Sequence, residues 1–417
     1  MSSRKVVVTG LGALTPLGNN VQDFWNGLAE GVSGAAPITK FDASKFKTQF
    51  ACEVKGLKVE DFIPRKDARK MDLFAQYAMI STDEAVNDAN LISDKLDLDR
   101  VGVIWASGIG GLRSFQEEVT SFAQGDGTPR FNPFFIPKMI ADIAAGHISI
   151  KYGFRGPNFC TVSACASATN ALLDAFHYIK SGMSDVIIAG GSEAAVTEAG
   201  VGGFGALKAL STRNDDPASA SRPFDQNRDG FVLGEGAGAI VLEEYEHAKA
   251  RGAKIYCELT GGGATADAHH MTAPHPEGTG AARVMEMALQ VSGLKPEDID
   301  YVNVHGTSTP LGDVAELKAI EKTFGEHAYD LNVSSTKSMT GHLLGAAGAI
   351  EAIASIKAME MGVVPPTINN SELDENIDKR FKLTLNKAEK REIRAALSNT
   401  FGFGGHNFSV IFKKLED

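Results

Sequence analysis

A chain of 417 residues, 43% hydrophobic and 22% charged, has the composition of an ordinary folded globular protein, outside disordered or fibrous classes. Its net charge of -11 excludes a general nucleic-acid or anionic-membrane binder, so an acidic partner must find a local basic patch. Cys52, Cys160, Cys165 and Cys257 show no CxxC spacing and form no disulfide framework, which fits reduced thiols in a cytoplasmic compartment. The apolar run after Arg4 and Lys5 is broken by Thr9, Gly10, Gly12 and Pro16, a poor signal peptide, and no run approaches the ~20 apolar residues of a membrane span.

In chain order, short β-branched runs alternate with segments of helical period, which predicts an α/β fold with strands between helix layers. Strands are expected at Lys5–Thr9, Val101–Ala106, Asn158–Ala164, Asp185–Ala189 and Ala239–Glu243. A second series is expected at Lys254–Thr260, Tyr301–His305, Leu331–Ser335, Arg394–Ser398 and Asn407–Phe412, in one large sheet or two. Gly10 and Gly190 follow their apolar runs closely and read as tight turns that end the strands. A weak internal repeat is visible: Asn158–Ala164 leads into a helix with a Leu172, Ala175, Phe176, Ile179 stripe, and Leu331–Ser335 leads into a Gly- and Ala-rich helix over His342–Met361. The seam falls near Arg251-Gly252, and without a Pro/Ser-rich linker the halves 1–252 and 253–417 are expected to pack as one body.

Several motifs point to functions they do not complete. Val6–Leu14 opens like a dinucleotide fingerprint, but the third glycine is replaced by Thr15 and Pro16 follows. Asp225–Gly230 copies half of a calcium loop, yet Gly236 stands where its glutamate belongs. Gly190-Gly191-Ser192-Glu193-Ala194 lacks the last glycine of a hydrolase elbow, and the adjacent His269 and His270 fit a loop better than a zinc site.

Three residues carry chemistry more directly. Cys165, between an expected strand and helix, would feel the positive helix end and free backbone N–H groups, which favour thiolate. His305 ends a strand and opens the polar loop Gly306–Asp313, where α/β sheets place ligands. His342, in Ser334–Gly348, would occupy a helix start mirroring Cys165 in the other half. Glu351 is a lone carboxylate in the following apolar helix and needs a partner, for which Lys337 is the nearest candidate. A catalytic thiol, a non-catalytic scaffold and a serine hydrolase using Ser192 all remain open on this evidence.

Taken together, these segments resemble the thiolase-fold condensing enzymes, most closely the elongating β-ketoacyl-[acyl carrier protein] synthases of class II. The resemblance rests on Val6–Gly10, Thr161–Ala168, Pro223–Gly236, His305–Thr307, Lys337–Gly348 and Asn399–Gly405 in order along the chain. It departs from degradative thiolases, since Phe401–Gly405 holds no second cysteine. It also departs from chain-initiating synthases, which carry Asn where His342 stands, and from chain-length factors, which lack the cysteine. Multidomain polyketide ketosynthases share the motifs and are the alternative, although 417 residues leave no room for their further modules.

The resemblance implies two duplicated βαβαβαββ halves in a five-layered αβαβα body, normally a homodimer. It implies that Cys165 takes an acyl group from an acyl carrier protein and that malonyl carrier protein then loses carbon dioxide and attacks the thioester. No cofactor of the enzyme's own is implied, because phosphopantetheine travels on the carrier. By the same resemblance, N–H groups of Cys165 and Phe403 hold one oxyanion, and His305 and His342 hold the malonyl thioester oxygen. Lys337 keeps His342 neutral and Glu351 fixes the lysine. Thr307 and Thr309 bind the pantetheine arm, Phe403 gates the acyl pocket, Ile109 lines its deep end, and Phe401, His270 and Thr272 belong to the substrate surface. Lys66, Arg69 and Lys70, with Arg65 beside them, receive the acidic carrier.

Overall fold

The structure, a computed structural model, describes residues 4–415. The main sheet strands form where the β-branched runs place them: β1 (Val6–Leu14), β2 (Val101–Ala106), β3 (Asn158–Thr161), β4 (Val186–Glu193) and β5 (Gly236–Glu244). The second series is β6 (Cys257–Ala266), β7 (Tyr301–Asn303), β8 (Asn332–Ser334), β9 (Ala395–Gly402) and β10 (His406–Lys413). The helices that complete the repeat are α1 (Leu73–Asp88), α2 (Ile143–Tyr152), α3 (Ser167–Lys180), α4 (Thr279–Ser292), α5 (Gly312–Phe324) and α6 (Ala347–Met361).

The duplication is explicit in the strand order. From the centre outward the first half runs β1-β5-β4-β2-β3 and the second β6-β10-β9-β7-β8. In each half the first, fifth and fourth strands pair antiparallel, and the fourth, second and third pair parallel. The two sheets meet only where Val7 faces Glu258 and Val8 faces Cys257. The ten strands are therefore one hydrogen-bonded series in which two five-stranded sheets join at a narrow seam.

Helices α3 and α6 pack on each other and on both sheets. Every residue of α6 from Ala347 to Met359 is buried, as befits a helix with no polar face. The expected stripe Leu172, Ala175, Phe176 and Ile179 is buried as well. Helices α1 and α2 cover the outer face of the first sheet, and α4, with α5 packed on it, covers that of the second. The result is the αβαβα layering.

Two local expectations fail. Gly10 does not end its strand, because β1 continues to Leu14, and Gly190 lies within β4. The reason is close approach: a Cβ on Gly10 or Gly12 would overlap the Ala85 or Ser81 carbonyl of α1, and one on Gly190 would overlap the Gly238 carbonyl of β5. Strand β3 ends at Thr161 and α6 begins at Ala347, later than expected, because short turns precede both central helices.

Gly12→Ala is expected to lower stability by about 1–3 kcal/mol, the cost of forcing a methyl group into packed backbone. Gly203→Ala, in the helix Glu198–Ala206 with open space around it, should raise stability slightly. Urea unfolding of both variants checks the opposite signs.

Candidate active site

Each central helix is entered through one 3-10 turn, Ala164–Ala166 before α3 and Leu344–Ala346 before α6. Their backbones match: Ala164 has φ 50° and Leu344 φ 48°, both left-handed for a residue with a side chain. Cys165 follows the first of these strained residues and Gly345 the second. Gly345, rather than His342, is thus the mate of Cys165. A side chain could not stand there, since a Cβ would overlap the Gly108 amide and lie 2.7 Å from Glu193 Oε2. His342 sits three residues earlier, after the short helix Lys337–Thr340, its N–H donating to the Val232 carbonyl at 2.8 Å.

Cys165, His305, His342, Thr307, Thr309 and Phe403 line a cavity of about 510 Å³. The His305 and His342 rings lie 5.3 Å apart between centroids and nearly perpendicular at 86°. Phe401 packs on His305 at 5.7 Å and Phe231 on His342 at 5.3 Å. The His305 loop is held by Glu316 of α5, which accepts the His305 N–H at 2.9 Å and the Gly306 N–H at 2.8 Å. Nδ1 of both histidines is buried without a hydrogen-bond partner.

Burial sets the charges here. It holds both histidines well below the usual imidazole range, and the Lys337 ammonium pushes in the same direction, so both rings are neutral. Lys337 is itself buried and paired with Glu351, as expected. Burial also pushes Glu351 up to about 7 against the pull of Lys337, and its Oε2 has no hydrogen-bond partner. The expectation of a resting thiolate is not met. Burial pushes the Cys165 thiol up to about 12, although Lys337 and the backbone N–H groups of Phe403 and Cys165 pull it down. The donors that would stabilise negative charge are in place, but desolvation of the buried thiol outweighs them.

Among the remaining candidates, Phe401 and Thr272 line the cavity, and Thr307 and Thr309 bring their hydroxyls within 3.2 Å of each other. His270 is exposed and outside the lining; its Nδ1 accepts the N–H groups of Thr272 and Ala273 at 3.2 Å and so shapes the loop that carries Thr272. Ile109 is also outside the lining and 40% exposed, so within one chain it walls no pocket around Cys165. Lys66 and Arg69 are exposed, and Lys70 pairs with Asp67 at 2.8 Å. Arg65 and Arg69 line a second cleft of about 390 Å³, joined by Arg113 and Lys138 from distant segments.

Ser192 is buried and accepts the Trp105 indole N–H at 2.9 Å, which removes it as a nucleophile. Asp225 accepts the N–H groups of Ser371 and Glu372 at 2.7 and 3.0 Å, making its segment a structural turn. Among the described residues, no three His, Cys, Asp or Glu side chains gather as a metal site. Sequence reasoning missed Glu193, Asp313 and Glu316, all buried. For Asp313 a signal existed, since an acidic group in a first helical turn after a polar loop is placed to accept that loop's N–H groups.

Comparison with known proteins shows the family of the chain. The descriptions "Beta-ketoacyl synthase, N-terminal domain" and "Beta-ketoacyl synthase, C-terminal domain" match residues 3–248 and 256–371. The chain is 50% identical to a 3-oxoacyl-[acyl-carrier-protein] synthase 2 of Synechocystis sp., covering 100% of this chain and 99% of the relative. It is 48% identical to the 3-oxoacyl-[acyl-carrier-protein] synthase 2 of Staphylococcus aureus, over 99% of each. Among solved structures, a β-ketoacyl synthase from Burkholderia phymatum superposes with TM-score 0.92 at 36% identity, covering 99% of this chain and 100% of that one. A type II polyketide ketosynthase in complex with its acyl carrier protein superposes with TM-score 0.91 at 34% identity, covering 100% of both chains.

Replacing the buried pair together, Lys337→Met with Glu351→Gln, avoids stranding either charge. Both histidines are expected to titrate at higher pH, since the like-charge repulsion is gone while burial remains, and Cys165 should alkylate more slowly. Ring NMR titration and iodoacetamide kinetics read the two effects.

Proposed function

Since the chain belongs to the β-ketoacyl synthase family, we propose that Cys165 is its acyl-carrying nucleophile and that His305 and His342 hold the second substrate. The chain is a 3-oxoacyl-[acyl carrier protein] synthase, a carbon–carbon bond-forming acyltransferase that extends fatty acids by two carbons. It carries no cofactor of its own, because the prosthetic group belongs to the carrier protein. The observation that carries this reading is one thiol and two neutral imidazoles sharing one desolvated cavity.

Cys165 Sγ attacks the carbonyl of the carrier-bound acyl thioester, and the N–H groups of Cys165 and Phe403 hold the oxyanion. The proton that Cys165 gives up ends on the departing carrier thiol, so the loading step is proton-neutral overall. Malonyl carrier protein then enters. In the neutral tautomer with the proton on Nε2, His305 and His342 each donate to the thioester oxygen as carbon dioxide departs and the enolate forms. The enolate carbon attacks the acyl-cysteine carbonyl, giving the 3-oxoacyl product and expelling the Cys165 thiolate, which takes a proton from solvent to return to the resting thiol. Lys337, fixed by Glu351, keeps His342 neutral, since an imidazolium in this cavity would be doubly disfavoured. The Thr307 and Thr309 hydroxyls bind the pantetheine arm, Phe403 gates the acyl pocket, and Phe401 and Thr272 complete the substrate surface.

The acidic carrier protein docks at Lys66, Arg69 and Lys70, and the cleft extends this basic ground to Arg113 and Lys138. The assembly is a homodimer. Strand β3 is an unpaired sheet edge, and Ile109, Phe115, Phe131 and Phe134, each at least 40% exposed, form apolar surface suited to a second copy. Covering Ile109 in this way would close the deep end of the acyl pocket. The halves 1–252 and 253–417 are the two units of the duplication, and the four free cysteines fit a cytoplasmic enzyme. No helix among the described residues is long and apolar enough to cross a membrane. A polyketide ketosynthase is the second reading, supported by the carrier-bound relative at 34% identity, but the fatty-acid synthases reach 50%.

The catalytic residues should separate by step. Cys165→Ala is expected to abolish acyl loading yet retain malonyl decarboxylation. His342→Ala should load acyl groups but lose decarboxylation by about 100-fold, the cost of one preorganised donor. Carbon dioxide release and acyl loading, measured separately, test this, and normal decarboxylation by His342→Ala would return that residue to a structural role.

Reversing charge at Lys66 and Arg69 should weaken use of carrier-borne substrate in a salt-dependent way while sparing a free acyl thioester. Equal losses with both substrates would reject docking there.

A further inference from the structure

Glu193 ends β4 and is fully buried, and every partner of its carboxylate is a donor. Oε2 accepts the backbone N–H groups of Gly108 at 2.8 Å and Gly345 at 3.0 Å. Oε1 accepts the Ile109 N–H at 3.2 Å and the Ser107 hydroxyl at 3.0 Å. The Ser107 oxygen itself accepts the Gly110 N–H at 3.0 Å, which commits its proton to Glu193. Four donors converge on one group, and only an acceptor-only carboxylate satisfies them all; glutamine or a protonated glutamic acid would set a donor against a donor.

What Glu193 holds is the support of the nucleophile. Gly345 is the mate of Cys165, and the two turns pack against each other. Gly108 is wedged against both, its Cβ direction meeting the Ala164 carbonyl at 3.4 Å and the Gly345 amide at 3.5 Å. We propose that Glu193 is a positioning residue that clamps the Ser107–Ile109 loop to the paired turns and so aims the Cys165 backbone N–H at the acyl oxyanion. This rests on the reading of Cys165 as the acylated nucleophile.

Burial pushes Glu193 up to about 6 against these hydrogen bonds. The titratable groups facing it are Cys165 and Cys160, and its charge pushes both thiols up. A role through thiol acidity would therefore work in the wrong direction, since removing the charge makes Cys165 more reactive. Positioning and acidity predict opposite outcomes.

The test uses the full chain and two reactions of Cys165: alkylation by iodoacetamide, which needs no oxyanion donor, and acyl loading from an acyl-pantetheine thioester, which does. Glu193→Gln is expected to alkylate at least as fast as wild type but to load about ten- to a hundredfold more slowly, the scale of a misaimed donor. Wild-type loading should fall along an acid limb near pH 6, absent from Glu193→Gln. Ser107→Ala removes one hydrogen bond to the charged form, so the limb should move to higher pH, which also distinguishes it from Asp313 and Glu316, the acids on the His305 side. Wild-type loading by Glu193→Gln, a limb unmoved in Ser107→Ala, or alkylation and loading falling together would each overturn the positioning role. If wild-type Cys165 accepts no acyl group, the reading of the nucleophile falls and takes this inference with it.

Discussion

The structure depends on the burial of two helices, α3 and α6, between two sheets. Because α6 is buried on every side, whatever stands at these helix starts stands in a medium with little water. That desolvation is the common cause of the site's electrostatics. It keeps His305 and His342 neutral, raises Cys165, and makes the Lys337–Glu351 pair obligatory, since either charge alone would cost several kcal/mol there. The proposed chemistry then relies on fixed donors facing the places where negative charge develops.

Fixing those donors falls to buried carboxylates around the site. Glu316 holds the backbone at His305 and Gly306, and Asp313 accepts the N–H groups of Ser308 and Phe224. Each is a buried acid that accepts two backbone N–H groups, Glu316 taking the Asn399 side-chain amide at 3.2 Å and Asp313 pairing with Arg228 at 3.4 Å besides, so each anchors a loop. Loops are normally the least rigid parts of an α/β body, and here they are pinned at the points where geometry matters.

Much of this was legible in the sequence. All ten main strands fall on the β-branched runs, because strand formation follows from local pattern. Cys165 and His305 could be singled out because they stand at strand ends next to polar or small-residue turns. The positions of Gly10, Gly12 and Gly190 within strands were not legible, because their cause is the approach of α1 or β5, which no local window contains. Nor was the true mate of Cys165, since Gly345 is a blank in a motif until the backbone shows its equivalence. Glu193 was hidden for the same reason: its partners at Ser107–Ile109 and Gly345 lie 84 to 152 positions away. His270 and Ile109 were placed by resemblance, and a single chain leaves both outside the cavity.

The pairing of Cys165 with Gly345 bears on how a duplicated protein can become an enzyme. Two copies of one unit inherit two equivalent turns, and closing them against each other leaves no volume for a side chain at Gly345. A symmetric arrangement with a thiol on both turns could not close. Specialisation is then a steric requirement before it is a chemical one: a side chain can stand at Cys165 only because the matching position in the other half is glycine.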